Sequence, residues 1–227
     1  IKKEIDLRST FLKFKIKHMP IVKKINKDIT QVTYSTVEEM NKAFCRISGY
    51  GECPKFQGQI FTLGQYRKWY SEEYGAWTYY EDFHGHNIPS KSMEPFWNGD
   101  FDPLTPEEEF LVNLTKHKEK PYYIIGTSTE SRETVDDHEL AHAIFGTNEA
   151  YNKKVTELVT KYSKELKDVK ALLIKMGYNT SVFIDEAHAY VGVDAAYLDN
   201  AGVKYPTKLH DELLALYVKA KRNLNLK

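Results

Sequence analysis

The chain has 227 residues, and its 32 Lys and Arg balance 32 Asp and Glu. This length suits one domain of medium size, so we expect residues 1–227 to form a single unit with a sheet-bearing half over 1–120 and a helical half over 121–227. A zero net charge lacks the basic excess of dedicated nucleic-acid-binding proteins, which argues against nucleic acid as a partner. No apolar run approaches the roughly 20 residues of a membrane helix, so we expect no membrane span.

The two cysteines, Cys45 and Cys53, are too few for a disulfide framework. They favour two unrelated thiols in an intracellular protein. One short-loop disulfide in a secreted protein remains the alternative. The sequence carries no signal for an oligomeric state.

In the first half, residues 13–17 alternate lysine with Phe14 and Ile16, which predicts an edge strand. A β-branched run predicts its neighbour at Ile29–Tyr34. Thr36 and Glu39 then form a capping box that predicts a helix to about Ile47.

From Gly49 to Pro103 the chain is rich in Gly, Pro and aromatic residues, and we expect long irregular connections there. Within this stretch we predict a short strand near Phe56–Phe61 and a helix near Leu63–Tyr74. Thr105 before a proline and acidic residues predicts a helix to about His117. Apolar residues Tyr122–Thr127 then predict a strand.

The second half reads as helical throughout. The predicted helices cover Thr134–Phe145, stopping at Gly146, then Glu149–Met176, Thr180–Val193 and Thr207–Asn223. In the second of these, the apolar positions recur at helical spacing and are predicted to be core: Val155, Leu158, Val159, Tyr162, Leu166 and Val169. Strands before helices predict an α+β fold.

Helix 134–145 contains His138-Glu139-Leu140-Ala141-His142, an HExxH motif. Positions i and i+4 share a helix face, so both imidazoles can reach one metal ion. Glu139 falls beside the open coordination position, where it can take a proton from a metal-activated water. The strand predicted just upstream could lie beside this site as an edge with which an extended peptide pairs.

A third ligand is required, and the metzincin pattern fails because it would need Gly and His where Phe145 and Asn148 stand. Glu186 is the favoured candidate because its helical face is otherwise apolar or aromatic, and a carboxylate there must be paired or metal-bound. Asp185, His188 and Asp194 compete with it. Asp185 and His188 would lie together on the other side of that helix, where a solvated pair is the simplest interpretation.

These motifs resemble the zincin metallopeptidases, and more narrowly the gluzincins, whose HExxH helix precedes a glutamate-bearing helix. The resemblance covers about 122–193. It implies a zincin-like α+β fold in which a small mixed sheet precedes an active-site helix and a glutamate-bearing helix. It also implies Zn²⁺ held by His138, His142 and Glu186, with Glu139 as general base. Many gluzincins carry an acidic residue four positions after the glutamate. Here that residue is Tyr190, whose phenol could support a ligand histidine.

An oxyanion donor beyond the metal is also expected, and downstream candidates are Tyr197, Tyr205 and His210. His84-Gly85-His86 is a second group that could bind a metal, although a solvated loop or a substrate contact is the simpler interpretation.

The sequence therefore predicts a zinc-dependent peptidase that acts on a peptide or protein substrate. The alternatives are a catalytically inactive zincin-fold interaction or structural module that still binds zinc, and a chance HExxH in an unrelated α+β domain. Charge is unevenly distributed, because 1–28 holds nine basic and three acidic residues whereas 81–139 holds 14 acidic and five basic. We therefore expect a negative potential at the site and a preference for neutral or basic peptides.

Overall fold

The computed structural model describes residues 19–131 and 133–224, so the strand predicted at 13–17 lies outside the described residues. The described chain is an α+β fold built on one mixed four-stranded sheet, as predicted. Its strands, in chain order, are β1 (Ile21–Lys24), β2 (Ile29–Tyr34), β3 (His86–Pro89) and β4 (Tyr123–Ser128).

Five helices lie before β4 and six after it, so the second half of the described chain is mostly helical. The first five are α1 (Val37–Glu52), α2 (Leu63–Tyr74), α3 (Tyr79–Asp82), α4 (Ser90–Asn98) and α5 (Pro106–Thr115). The other six are α6 (Glu133–Thr147), α7 (Glu149–Lys161), α8 (Lys167–Lys175), α9 (Phe183–Gly192), α10 (Ala195–Asn200) and α11 (Thr207–Asn223). A short 3₁₀ turn over Thr180–Val182 leads into α9.

The strand order across the sheet is β1-β2-β4-β3. The strands β2 and β4 are parallel, and each has an antiparallel neighbour on its outer side. The strand predicted to be a peptide-binding edge, observed at Tyr123–Ser128, is therefore interior, and this part of the prediction is wrong. The edge on that side of the sheet is β3.

Alternating side chains of the sheet enter two separate cores. Ile29 and Ile125 join the core formed with the C-terminal helices. Val32 and Ile124 join the core formed with the N-terminal helices. The sheet thus lies between two helical layers, and β4 connects the two halves of the chain because it supplies residues to both cores.

Caps in the sequence predict the helix starts accurately, although α1 continues to Glu52, beyond the end predicted near Ile47. Thr36 and Thr105 accept hydrogen bonds from the third residue of α1 and α5, as N-caps do. The predicted bounds of α2 and α11 are confirmed at both ends. The helix predicted over Thr180–Val193 begins as the 3₁₀ turn before becoming α9.

The strand predicted near Phe56–Phe61 is absent from the described structure. Turns replace it, with backbone hydrogen bonds from Gln57 to Cys53 and from Gly58 to Tyr50. Gly58 has φ +71°, a left-handed conformation that an extended strand does not contain. Phe56 and Phe61 instead pack against each other in an aromatic cluster, with ring centroids 4.6 Å apart.

Two further helix boundaries differ from the prediction. The long helix over Glu149–Met176 is two helices, α7 and α8, separated at residues 162–166. Its predicted core positions are nevertheless buried or partly buried. The helix predicted over Thr134–Phe145 continues through Gly146, because that glycine is a contact point rather than a helix stop. A Cβ there would lie 2.1 Å from the Tyr123 hydroxyl oxygen.

A buried ion pair fixes α1 to α5. Arg46 donates from Nε to Glu108 Oε1 at 2.7 Å and from Nη1 to the Phe101 carbonyl at 3.1 Å. Glu108 also accepts the backbone N–H of Thr105 at 2.8 Å, which completes the capping box of α5. The described helices include none that is long and apolar enough to cross a membrane.

Candidate metal centre

Helix α6 carries the HExxH motif and packs on β3, β4 and α9. Its apolar residues, among them Leu140, Ala141 and Ile144, are buried in the C-terminal core. His138, Glu139 and His142 occupy the remaining face, and each is also buried. The helix is therefore held by its apolar side, and its three polar side chains are directed towards α9 and β3.

The side chains of His138, His142 and Glu186 converge. One donor atom from each lies within 4.8 Å of the other two. The two Nε2 atoms are 3.2 Å apart, and Glu186 Oε2 lies 3.7 Å from Nε2 of His142. Ligands about 2.0–2.1 Å from a tetrahedral zinc ion are separated by about 3.3 Å, so the observed spacing suits one ion of this size.

Glu186 comes from α9, which packs against α6. Its Oε2 is buried and has no hydrogen-bond partner in the described part of the chain. A buried carboxylate oxygen without a partner is costly unless a cation or donor compensates it. The residues present therefore fit a metal ion, with Glu186 as the third donor.

Asp185, the residue before Glu186, supports the second histidine. The Nδ1–H of His142 donates to Asp185 Oδ1 at 2.8 Å, which leaves the Nε2 lone pair directed at the candidate site. The predicted pair of Asp185 and His188 is present, with His188 Nδ1 3.4 Å from Asp185 Oδ1, but the interpretation of this pair as solvated is wrong for His188. Asp185 contacts His142, and His188 is buried at 1% exposure, stacked on Phe145.

Asp194 lies beside the other histidine. Its Oδ2 is 3.9 Å from Nδ1 of His138, and its side chain is buried. Tyr190 packs its ring edge-on against the His138 imidazole, with centroids 4.7 Å apart, and its hydroxyl lies 3.4 Å from that of Tyr178. A carboxylate thus stands near the outer nitrogen of each histidine. The carboxylate near His138 is that of Asp194, eight residues after Glu186, whereas the resemblance described above places an acidic residue four positions after the glutamate.

The electrostatics of the site favour a bound cation. Burial alone lowers the pKa of His142, but the charges of Asp185 and Glu186 outweigh it and raise that pKa to about 10. Burial raises the pKa of Glu186 to about 7, and it also raises the pKa of Glu139. A divalent metal ion can replace the proton that this group of carboxylates would otherwise retain on His142.

The carboxylate of Glu139 is held from the sheet. Asn87 Nδ2 donates to Glu139 Oε2 at 3.0 Å. Ser90 N–H donates to the Tyr122 carbonyl, so these two residues form a hydrogen-bonded pair directly adjoining β3 and β4. Hydrogen-bonded and non-hydrogen-bonded pairs alternate along antiparallel strands, so Asn87 belongs to a non-hydrogen-bonded pair. Its backbone N–H and C=O therefore point away from β4. Within residues 19–131 and 133–224 no strand pairs with this outer edge of β3, here called its free edge, and it runs beside Glu139.

The predicted oxyanion donors contact groups outside the cluster of His138, His142 and Glu186. The hydroxyl of Tyr205 donates to Asp199 at 2.9 Å, and His210 Nδ1 donates to the Val191 carbonyl at 2.7 Å. The Tyr197 hydroxyl lies 3.8 Å from the Met176 sulfur. Sequence reasoning missed Tyr178, whose phenol lies next to Glu186 and Tyr190. Burial and the charge of Glu186 raise the pKa of Tyr178 well above its usual value, so it keeps its proton.

The group His84-Gly85-His86 is divided between two environments. His84 is exposed, whereas His86 is buried in β3, so the interpretation as a solvated loop is wrong for His86. Both ring nitrogens of His86 are engaged, with Asn41 at 2.7 Å and Ser48 at 3.0 Å. The pair is therefore not a second metal site.

Asn87 has no local signal in the sequence that identifies it as a functional residue. The sequence predicts Asp194 only as a competing ligand. Comparison of the chain with family models, with curated proteins and with solved structures gives no match.

Proposed function

We propose that this chain is a zinc-dependent peptidase of the zincin type, in which Glu139 is the general base for hydrolysis of a peptide bond. One observation carries the proposal: donor atoms of His138, His142 and Glu186 converge within 4.8 Å, next to a glutamate held at a free strand edge. A chance HExxH predicts scattered positions for these residues, and this convergence argues against it.

Zinc suits the site because two imidazoles and one carboxylate are the ligand types of catalytic zinc centres, which leave a fourth position open. When bound, the ion would supply Lewis acidity and lower the pKa of a water molecule to about 7. His138 and Glu186 retain 8% and 9% exposure, whereas His142 retains 2%. All of these side chains are buried, and the small exposure that remains lies at His138, Glu139 and Glu186.

Glu139 would act as the base and then as the acid of the reaction. Its Oε2 is engaged by Asn87, and its Oε1 can accept a proton from the attacking water. The same carboxyl group then passes that proton to the departing amine. Tyr178 retains its proton and is the phenol beside Glu186, so we assign to it the hydrogen bond that stabilises the developing oxyanion.

The free edge of β3 gives the substrate a surface to pair with. A peptide in extended conformation can bond the outward N–H and C=O of Asn87 and the C=O of Pro89. Pro89 offers no N–H, so pairing on that side rests on its carbonyl alone. This arrangement would place the scissile bond next to Glu139.

Zinc content and hydrolysis together test the proposal. Purified protein should carry about one zinc per chain, and it should cleave a mixture of unstructured peptides followed by mass spectrometry. Glu139→Gln should keep the zinc and lose cleavage, because the amide cannot accept the proton. Glu157→Gln, an exposed glutamate of α7, is the matched control and should behave as the wild type.

The outcomes separate the proposal from its alternative. Protein that binds zinc but cleaves no peptide would be an inactive zincin-fold module. Folded protein that binds no zinc, or a Glu139→Gln variant with full activity, would refute the peptidase assignment.

A further inference from the structure

The segment Gly85-His86-Asn87 joins the N-terminal helical layer to the side chain of Glu139. Its last residue makes the direct contact, because Asn87 Nδ2 donates to Glu139 Oε2 at 3.0 Å. A hydrogen bond to a carboxylate is stronger than one between neutral groups. The amide therefore fixes one carboxylate oxygen and leaves Oε1 as the oxygen that can accept a proton.

Gly85 limits the position of the same side chain from the other side. A Cβ at Gly85 would lie 2.6 Å from Glu139 Oε1 and 2.9 Å from its Cγ. It would also lie 2.6 Å from Cγ1 of Val135, one turn earlier on α6. The backbone at Gly85, just before β3, thus passes so close to Glu139 that no larger residue fits at position 85 without displacing the carboxylate.

His86, between these two residues, anchors the strand to α1. Asn41 donates both protons of its amide to the Tyr80 and Phe83 carbonyls, so its Oδ1 faces His86 Nε2 at 2.7 Å. His86 Nε2 is therefore the donor, and Nδ1 accepts from Ser48 at 3.0 Å. The ring also stacks on Phe44 with centroids 4.9 Å apart and planes 7° apart.

We propose that Gly85-His86-Asn87 is a positioning element for the general base: His86 fixes the strand to α1, Gly85 provides the space, and Asn87 orients the Glu139 carboxylate. This inference rests on the proposed peptidase function. Two residues of the group His84-Gly85-His86, namely Gly85 and His86, thereby receive a structural role that requires no bound metal. The three residues act through Glu139 and not on the substrate atoms.

Steady-state kinetics of two variants test this role. Gly85→Ala and Asn87→Leu should each lower kcat by about 10- to 100-fold, since a misplaced catalytic group costs that order of rate. KM should change by less than about 2-fold, because the free strand edge that pairs with the peptide is retained. Zinc content should stay at one per chain. Asn87→Gln keeps an amide donor and should recover part of the rate.

Gly64→Ala is the matched control for the glycine substitution. A Cβ at Gly64 contacts only Thr62 Oγ1, at 3.9 Å, so this variant should retain the wild-type kcat. Thermal unfolding of each variant separates loss of fold from loss of positioning. Two variants at different residues keep the test valid if one of them fails to fold.

The results distinguish this inference from the proposed function. If the wild type cleaves peptides and both Gly85→Ala and Asn87→Leu retain its kcat, the positioning role is wrong and the peptidase assignment stands. A rise in KM at constant kcat would also overturn it, because that result assigns these residues to substrate binding. Zinc-loaded wild type without hydrolysis would overturn both proposals.

Discussion

Asp185 Oδ1 accepts a hydrogen bond from His142 Nδ1 at 2.8 Å, and Asp185 directly precedes Glu186 in the chain. Two successive residues at the start of α9 thus serve the same candidate centre. Glu186 offers a donor to the ion, and Asp185 fixes the tautomer and ring orientation of the histidine across from it. A rotation of α9 would disturb both functions together, so its packing against α6 and α11 determines the geometry of the site.

Replacing Asp185 should therefore weaken metal binding. Asp185→Asn removes the charge that favours a metal-bound His142, and we expect zinc affinity to fall by about 10- to 100-fold. Competition with a chromogenic chelator measures this change. Asp211→Asn, an exposed position of α11, is the control and should leave affinity unchanged. Equal affinities for Asp185→Asn and the wild type would show that the contact does not support the ligand.

Tyr178 should act in the transition state. Tyr178→Phe removes the hydroxyl beside Glu186 and should lower kcat by about 10²- to 10³-fold, the usual cost of losing one oxyanion donor. Tyr205→Phe is the matched control because its hydroxyl bonds Asp199, and we expect wild-type kinetics for it. Peptide cleavage measured at saturating substrate compares the two. A larger loss of kcat in Tyr205→Phe than in Tyr178→Phe would assign the oxyanion hydrogen bond to Tyr205 instead.

The parts of this site that the sequence predicted depend on local spacing. His138 and His142 are one helical turn apart, and Glu186 was identified because it interrupts an apolar helix face. Both signals lie within single helices, so they do not depend on how distant segments of the chain pack together. The helix starts at Thr36 and Thr105 were predicted for the same reason, since an N-cap satisfies a local backbone donor.

The remaining parts depend on contacts between distant segments. Asn87 reaches Glu139 across 52 residues of sequence, and no local pattern indicates that pairing. His-Asn-Ile-Pro of β3 lacks a β-branched run, so a buried strand was not predicted there. Gly146 has the sequence signal of a helix stop, yet it provides space for Tyr123 in the neighbouring strand. Tertiary packing overrides local preference at each of these positions.

His86 should make stability depend on pH. Burial lowers its pKa to about 3, from about 6.5 in the unfolded chain. Above pH 6.5 both states are neutral at this residue, so it contributes no pH dependence. As pH falls from 6.5 towards 3, only the unfolded chain binds the proton, and the free energy of unfolding falls by up to about 1.4 kcal/mol per pH unit.

Urea unfolding of the wild type and of His86→Gln at pH 7.0 and 5.0 isolates this contribution, because every other group is common to both proteins. The wild type should lose about 2 kcal/mol more than the variant between these pH values. Equal losses would show that His86 can take up a proton in the folded state.

Substrate charge should affect the rate, because carboxylates surround the candidate centre. These carboxylates are those of Glu139, Asp185, Glu186 and Asp194.

Peptides with Lys or Arg near the cleaved bond should therefore have a higher kcat/KM than matched peptides with Glu, by about 10-fold at low ionic strength. The difference should shrink in 0.5 M NaCl because salt screens it. Faster cleavage of the acidic peptides would contradict a negative potential at the site.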